Sequence, residues 1–191
     1  NVTVRGFTVK SHTGTRGITN RDDAAAAYQP VTGIRVLNNV VTKFTNGVDF
    51  RRARGEITGN QVYGNSTRGM YLREYPPASP GGFTVLNNVL SGNGAGGSQY
   101  DLVLEDVYTG TVVMSNTITG GLTEACILVN NEAGSVELTG NTLNACGEGV
   151  LILQNGGTAI IQQVKVERNT ITGGGIGVRV RRTAGTSSLR Q

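Results

Sequence analysis

One asparagine recurs along this chain at a fixed register, with an apolar residue three positions before it and another two positions after it. The six copies are Asn39, Asn60, Asn88, Asn116, Asn141 and Asn169. An N-terminal copy reads Val4, Phe7 and Val9, with phenylalanine in place of the asparagine. The spacing ranges from 21 residues, between Asn39 and Asn60, to 32 residues, between Phe7 and Asn39. Self-similarity at a period of roughly 20 to 50 residues indicates a solenoid, a propeller or another repeat array.

Apolar residues within each copy alternate with a period of two, which favours strands over helices because only a strand sends successive side chains to opposite faces. A second apolar segment, usually entered through glycine, follows each asparagine; examples are Gly69-Met70-Tyr71-Leu72 and Gly149-Val150-Leu151-Ile152. Two or three short strands per copy suit a coiled chain in which each strand pairs with its equivalent one turn along. Four-stranded propeller blades need about 40 residues or more per repeat.

This pattern, Val/Ile-x-Val-x-x-Asn-x-Ile followed by Gly-Val/Ile-x-Leu, resembles the repeat of the pectate-lyase-like superfamily. The resemblance implies an all-β fold, a right-handed parallel β-helix of about seven coils, in which the asparagines stack as a ladder at a tight turn. Asparagine suits such a turn because it tolerates left-handed backbone and forms local hydrogen bonds. We expect one β-helix domain over residues 1–182, a polar tail at 183–191, and a longer parent protein of which this chain is a fragment.

Charge and hydropathy narrow the choice of partner. The net charge of +4 is small and scattered, which argues against nucleic acid. No apolar run is long enough to insert into a membrane.

The cysteines Cys126 and Cys146 fall in neighbouring coils, and two interpretations stay open: buried thiols, or a disulfide that indicates an oxidising compartment.

Three irregular segments interrupt the repeats and are expected to stand beside the sheet formed by the second apolar segments. Residues 20–30 predict a short helix, residues 75–82 a rigid non-helical excursion, and residues 92–99 a glycine-rich mobile loop. Loops on one face of a repeat array often mark its binding face.

The outward positions of the second apolar segments are themselves apolar in the middle coils. A strand that is apolar on both faces is expected to be covered. The sequence therefore predicts self-association, or cover by a missing segment, through Val103, Ile127, Val129, Leu151 and Leu153.

Polar residues replace these apolar ones in the earlier coils. Enzymes of the resembled superfamily place acids, arginine or lysine, and sometimes calcium, in a groove along an exposed sheet. By that resemblance the candidate catalytic residues are Asp49, Arg73 and Glu105. The candidate substrate-binding residues are Arg51, Tyr71, Glu74, Tyr75, Tyr100 and Asp106.

The chemistry available to this cluster is that of sugars. Two carboxylates could act as general acid and base in glycoside hydrolysis, and an arginine could hold a uronate carboxylate through two hydrogen bonds. The chain shows no compact catalytic motif and no calcium-binding repeat, so Ca²⁺ stays an open expectation and no other cofactor is implied. Cross-strand ion pairs such as Arg73 with Glu105 explain the same residues equally well.

Two functions follow. The first is a secreted or cell-surface protein that binds an extended polysaccharide, with cleavage or epimerisation by a lyase, hydrolase or epimerase reaction left open. The second is a non-catalytic scaffold or adhesion module within a larger assembly. Analogy with the resembled superfamily favours the first function, polysaccharide binding.

Overall fold

Every regular element that the computed structural model describes is a β-strand. The structure describes residues 1–20, 31–73, 82–95, 100–107, 110–120, 125–130, 134–155 and 163–183. The segments predicted at 20–30, 75–82 and 92–99, and the tail at 183–191, lie mostly outside these ranges.

The 21 strands form three sheets of seven strands each. Sheet A contains β1 (Val2–Arg5), β4 (Val31–Leu37), β7 (Ala53–Thr58), β10 (Phe83–Leu86), β13 (Thr111–Met114), β16 (Ser135–Thr139) and β19 (Gln163–Glu167). Sheet B contains β2 (Thr8–Lys10), β5 (Val40–Thr42), β8 (Gln61–Tyr63), β11 (Val89–Ser91), β14 (Thr117–Thr119), β17 (Thr142–Asn144) and β20 (Thr170–Thr172). Sheet C contains β3 (Arg16–Thr19), β6 (Asn46–Arg51), β9 (Arg68–Arg73), β12 (Tyr100–Glu105), β15 (Ala125–Asn130), β18 (Glu148–Asn155) and β21 (Ile176–Thr183).

Each strand pairs in parallel with its equivalents in the neighbouring coils. In sheet C, for example, Asp49 of β6 lies opposite Tyr71 of β9, and Tyr71 lies opposite Val103 of β12. The predicted parallel β-helix is therefore confirmed, with three strands to a coil.

The repeated asparagines form a continuous hydrogen-bonded ladder at the corner between sheets A and B. From Asn39 to Asn169, each side-chain Nδ2 donates to the Oδ1 of the next asparagine at 2.9 to 3.1 Å. The same Oδ1 accepts the preceding asparagine's backbone N–H at 2.9 to 3.0 Å. Each Nδ2 also donates to a carbonyl of the preceding coil, as from Asn88 to Ile57 at 2.8 Å. One side chain thus satisfies two buried backbone groups of the preceding coil and bonds to the asparagine side chain of the following coil.

The left-handed backbone at this corner belongs to the residue before the ladder asparagine, which corrects the expectation from sequence. Asn38, Asn87 and Ser115 have φ values of 54°, 53° and 55°, and glycines stand at the equivalent positions 6, 59 and 140. The ladder asparagine is used for its side-chain amide rather than for its tolerance of positive φ.

The apolar residues that flank each asparagine form the core, as the repeat predicts. Those of the middle coils have 0% exposure: Val36, Val41, Ile57, Val62, Val85, Leu90, Val113, Ile118, Leu138 and Leu143. In the first and last coils the equivalents Val4, Val9, Val166 and Ile171 are only partly buried.

The register of β15 differs from the one predicted. Val103 lies opposite Leu128, and Leu104 opposite Val129, so Ile127 and Val129 point into the core and are fully buried. The predicted outward positions of Ile127 and Val129 are therefore wrong. The error arises because Cys126 aligns with the glycines that open the other strands of sheet C, and not with the apolar residue after them.

The outward apolar residues of sheet C form a second cluster that is buried within the single chain. It contains Tyr71, Val103, Ala125, Leu128, Leu151 and Leu153, with exposures from 2% to 7%. Val103, Leu151 and Leu153 consequently present no bare apolar surface, although the predicted contact with a further segment or subunit stays a prediction.

A column of polar side chains lies between sheets B and C, five residues after the ladder asparagines. Asn65 Nδ2 donates to Asn93 Oδ1 at 2.8 Å, and Asn93 Nδ2 donates to Asp101 Oδ1 at 2.7 Å. Glycine opens the strands beside this column for a steric reason: a Cβ at Gly69 would lie 2.8 Å from Asn93 Nδ2.

The two cysteines continue the same packing scheme. Cys126 stands at the glycine position of β15, Cys146 stands five residues after Asn141, and the two form a disulfide with a Cα–Cα distance of 5.5 Å. Of the two interpretations left open by the sequence, the structure contains the disulfide.

We predict that Asn88→Ala lowers the free energy of unfolding by about 3 kcal/mol, because it leaves the buried Asn60 N–H and Ile57 carbonyl without partners. Asn169→Ala, at the half-buried end of the ladder, should cost about 1 kcal/mol. Urea denaturation checks both variants. Equal losses for the two would show that the side-chain ladder is not what stabilises the middle coils.

Candidate functional site

The outward face of sheet C brings together seven of the nine predicted site residues. Asp49 and Arg51 come from β6, Tyr71 and Arg73 from β9, and Tyr100, Glu105 and Asp106 from β12 and the turn after it. The parallel register places Arg51, Arg73 and Glu105 in one column across three coils. Glu74 and Tyr75 lie outside the described residues.

Asp49 is the most buried member of this cluster, with no exposed surface. Its Oδ2 lies 3.0 Å from Arg16 Nε and accepts a hydrogen bond from Asn46 Nδ2 at 2.9 Å. Its Oδ1 lies 3.4 Å from Arg51 Nε. Two guanidinium groups compensate the buried carboxylate, as a charge removed from water requires. This geometry suits a residue that positions Arg16 and Arg51 better than one that takes a proton from a substrate.

Tyr71 lies between two arginines and is 5% exposed. The Cζ atoms of Arg68 and Arg51 are 4.5 Å and 5.5 Å from its ring centroid, within the range of cation–π attraction. Its hydroxyl donates to Glu105 Oε2. Burial, followed by the hydrogen bond and the negative charge of Glu105, raises the pKa of Tyr71 to about 12. At neutral pH the phenol therefore acts as a hydrogen-bond donor and not as a base.

Arg73 is the centre of the solvent-facing part of the cluster. Its Nε and Nη2 each lie 3.1 Å from Asp106 Oδ2, and Nη2 lies 3.9 Å from Glu105 Oε1. Burial alone would lower the pKa of Arg73, but Glu105, Tyr71 and Asp106 together raise it. The side chains of Arg73, Glu105 and Asp106 keep 21% to 24% of their surface exposed. A ligand in solution can contact these three residues, and also Arg51 and Arg16, whose side chains are 29% and 33% exposed.

Tyr100 occupies the edge of the cluster. It lies opposite Arg68 in the neighbouring coil and packs, half-buried, against the outward apolar cluster. It therefore connects the charged and the apolar halves of this face.

Three residues that contact this cluster were missed from the sequence: Arg16, Asn46 and Arg68. They occupy one column, because Arg16 lies opposite Asn46 and Asn46 opposite Arg68. Each directly precedes the glycine that opens its strand. Extending the outward columns by one position towards the N-terminus of each strand would have found them.

The distance between two acids decides whether they can act together in glycoside hydrolysis. Asp49 and Glu105 are two coils and two residues apart, so their Cα atoms are separated by about 12 Å at the usual strand spacing and rise. The carboxyl groups of glycoside hydrolases stand roughly 5 to 9.5 Å apart, so two side chains on Cα atoms at this separation would have to point towards each other, whereas the Asp49 carboxylate contacts Arg16 and Arg51. Glu105 and Asp106, which both contact Arg73, form the closer acidic pair.

The described residues contain no group of three or more histidine, cysteine, aspartate or glutamate side chains that could hold a metal ion. The histidine, His12, lies in a separate groove of about 290 Å³ lined also by Lys43, Thr45 and Ser66. Across the same described part of the chain, no helix has the length and apolar character needed to cross a membrane.

Comparison with known proteins agrees with this architecture. A family model described as a right handed beta helix region matches residues 2–189. No curated protein and no solved structure matches the chain. The matched residues include every strand of the structure and all of the site residues named above.

We predict that Tyr71 ionises only near pH 12, and that Glu105→Gln lowers this value because it removes the adjacent carboxylate. The measurement is tyrosinate absorbance after a rapid pH jump, read before alkaline unfolding, with Tyr71→Phe subtracted to isolate this residue. The same Tyr71 pKa in the unaltered protein and in Glu105→Gln would contradict the contact between the Tyr71 hydroxyl and Glu105.

Proposed function

Since the chain belongs to the right-handed β-helix family, we propose that it binds an extended acidic polysaccharide along the outward face of sheet C in the second to fourth coils. The observation that carries this proposal is the stacked pair Arg51 and Arg73. They are direct neighbours across adjacent strands, and their side chains are 29% and 22% exposed.

Charge supports an anionic ligand at this position. Asp49 and Asp106 already pair with Arg51 and Arg73, and a uronate carboxylate placed over the exposed side of the two guanidinium groups would add a further opposite charge between these neighbouring like charges. Arginine offers paired N–H donors whose geometry matches a carboxylate. The strands repeat every 4.8 Å or so along the helix axis, so a polymer lying parallel to that axis meets a new row of side chains at each coil.

Binding is better supported than catalysis. Asp49 is fully buried, the Tyr71 hydroxyl is held by Glu105, and Arg73 is held by Asp106. Among the described acids of the cluster, Glu105 and Asp106 are the partly exposed ones, so they are the described acids that a lyase, hydrolase or epimerase reaction could use.

We also propose that the protein is secreted or displayed at a cell surface. The Cys126–Cys146 disulfide supports this location, because disulfides form and persist in oxidising compartments.

A non-catalytic scaffold is the second candidate. The observation that favours it is the mutual pairing of the cluster: Arg16 and Arg51 form one ion network around the buried Asp49, and Arg73, Glu105 and Asp106 form another that is partly exposed. Such networks also occur where their role is to join neighbouring strands.

The test is binding of the purified chain to polygalacturonate and alginate, with dextran as the neutral polymer. We expect micromolar or tighter binding to the acidic polymers only, and Arg73→Ala should weaken it at least tenfold, because a charged hydrogen bond contributes about 1.5 to 3 kcal/mol. Arg35→Ala is the matched control, since Arg35 is also paired with an acid, Glu56 at 3.0 Å, but lies on sheet A.

Thermal melts verify that both variants fold. Loss of binding in Arg73→Ala alone supports the proposed face. If Arg35→Ala weakened polymer binding as much as Arg73→Ala, the loss would be due to net charge and not to this face. Absence of binding to every polymer would favour the scaffold. Release of shortened or unsaturated products, abolished by Glu105→Gln, would add an enzymatic reaction to the binding.

A further inference from the structure

The interior polar column contains an acid that the candidate glycan site does not use. Asp101 points inward from β12 at the position where the neighbouring strand β9 has Gly69, and it is 2% exposed. Its Oδ1 accepts a hydrogen bond from Asn93 Nδ2 at 2.7 Å. Asp101 therefore ends the short ladder of Asn65 and Asn93 with a carboxyl group instead of a further amide.

The disulfide and this carboxyl both lie beside Gly120. A Cβ added at Gly120 would be 2.9 Å from Asp101 Oδ2, 3.3 Å from Cys126 Sγ and 3.6 Å from Cys146 Sγ. The absence of a side chain at Gly120 thus leaves the carboxyl oxygen and the two sulfurs around one point. Both cysteines are buried, at 0% and 1% exposure.

Asp101 is harder to ionise than an exposed aspartate while the disulfide is intact. Burial raises the pKa of Asp101 to about 6, although the hydrogen bonds from Asn93 act in the opposite direction. Among the described residues, the groups placed near the carboxyl are the Asn93 amide and, across Gly120, the two cysteine sulfurs, which do not titrate while they are bonded to each other. The sulfurs also lie 3.3 to 3.9 Å from the carbonyl oxygens of Asn144 and Ile118.

We propose that Asp101 and the Cys126–Cys146 disulfide form one redox switch, in which reduction of the disulfide by a dithiol causes the Asp101 carboxyl to release a proton. The dithiol supplies two electrons and two protons. The Sγ–Sγ bond breaks, two protein thiols form, and the dithiol becomes its own disulfide. The carboxyl proton leaves to solvent, so in the pH range where Asp101 is still protonated in the oxidised protein, reduction releases up to one extra proton for each disulfide.

The physical reason is a change in hydrogen-bond donors. Disulfide sulfurs carry no hydrogen, whereas each thiol is a donor. A new donor beside a buried carboxylate favours its charged form and lowers its pKa. Reduction therefore becomes easier as the pH rises through the Asp101 titration, and acidic surroundings preserve the disulfide.

The experiment equilibrates the full chain with reduced and oxidised dithiothreitol, with a small selenol as catalyst, between pH 4.5 and 7.5. Reduction of dithiothreitol and of a protein disulfide consume the same number of protons, so their ratio is independent of pH unless another group is coupled. The reduced fraction is read by alkylation under denaturing conditions and mass spectrometry.

For the unaltered protein, we expect the equilibrium to shift towards the reduced form by about tenfold over this range, which corresponds to one pKa unit. Asp101→Asn, which retains an oxygen to accept the Asn93 hydrogen bond, should abolish the shift. Glu137→Gln, which removes an exposed acid on sheet A, should retain it. A pH-independent equilibrium in the unaltered protein, or an equal shift in Asp101→Asn, would overturn the proposal.

A second measurement needs no variant. The ¹³C chemical shift of the Asp101 carboxyl, followed against pH in the oxidised and reduced protein, should give a lower pKa in the reduced form. The same pKa in both forms would also overturn the switch, whether or not Asp101→Asn folds. Neither readout depends on glycan binding.

Discussion

The stacking of asparagine amides from coil to coil is the interaction on which the rest of this structure depends. Each amide of the middle coils is buried and bonds to the asparagine on either side, to a backbone N–H and to a carbonyl. A slip of one residue between two coils would leave these groups unpaired and would turn a core-facing row of side chains outward. The ladder therefore specifies which residue of one coil lies beside which residue of the next.

That register also determines which side chains meet on each side of sheet C. It aligns Arg51, Arg73 and Glu105 as a column on the outer face, although 54 residues of sequence separate the first from the last. On the inner side it brings Asp101 close to a disulfide that joins the next two coils. One periodic constraint thus produces the charged column on the outer surface and the buried acid near the disulfide.

Much of the fold was predictable because the apolar residues stand at the same positions relative to every ladder asparagine. A single sequence therefore contains several independent examples of one pattern. The predictions failed where the sequence departs from this pattern. Cys126 replaces a glycine, which hid the register of β15 and misplaced Ile127 and Val129. Arg16, Asn46 and Arg68 were missed because the outward positions, unlike the ladder, are not occupied by one residue type in every coil. The disulfide depends on packing between two coils, which spacing alone does not determine.

Hydrogen exchange of the ladder backbone amides tests the role of the asparagines most directly. The N–H groups of Asn39, Asn60, Asn88, Asn116 and Asn141 sit at a corner, where turn amides usually exchange quickly, but each donates to the next asparagine side chain. The account predicts that the three middle amides exchange only on global unfolding, as slowly as the core strands of sheet A. Exchange of these amides within seconds, while the strands remain protected, would show that the coils are held in register by something other than the asparagine ladder.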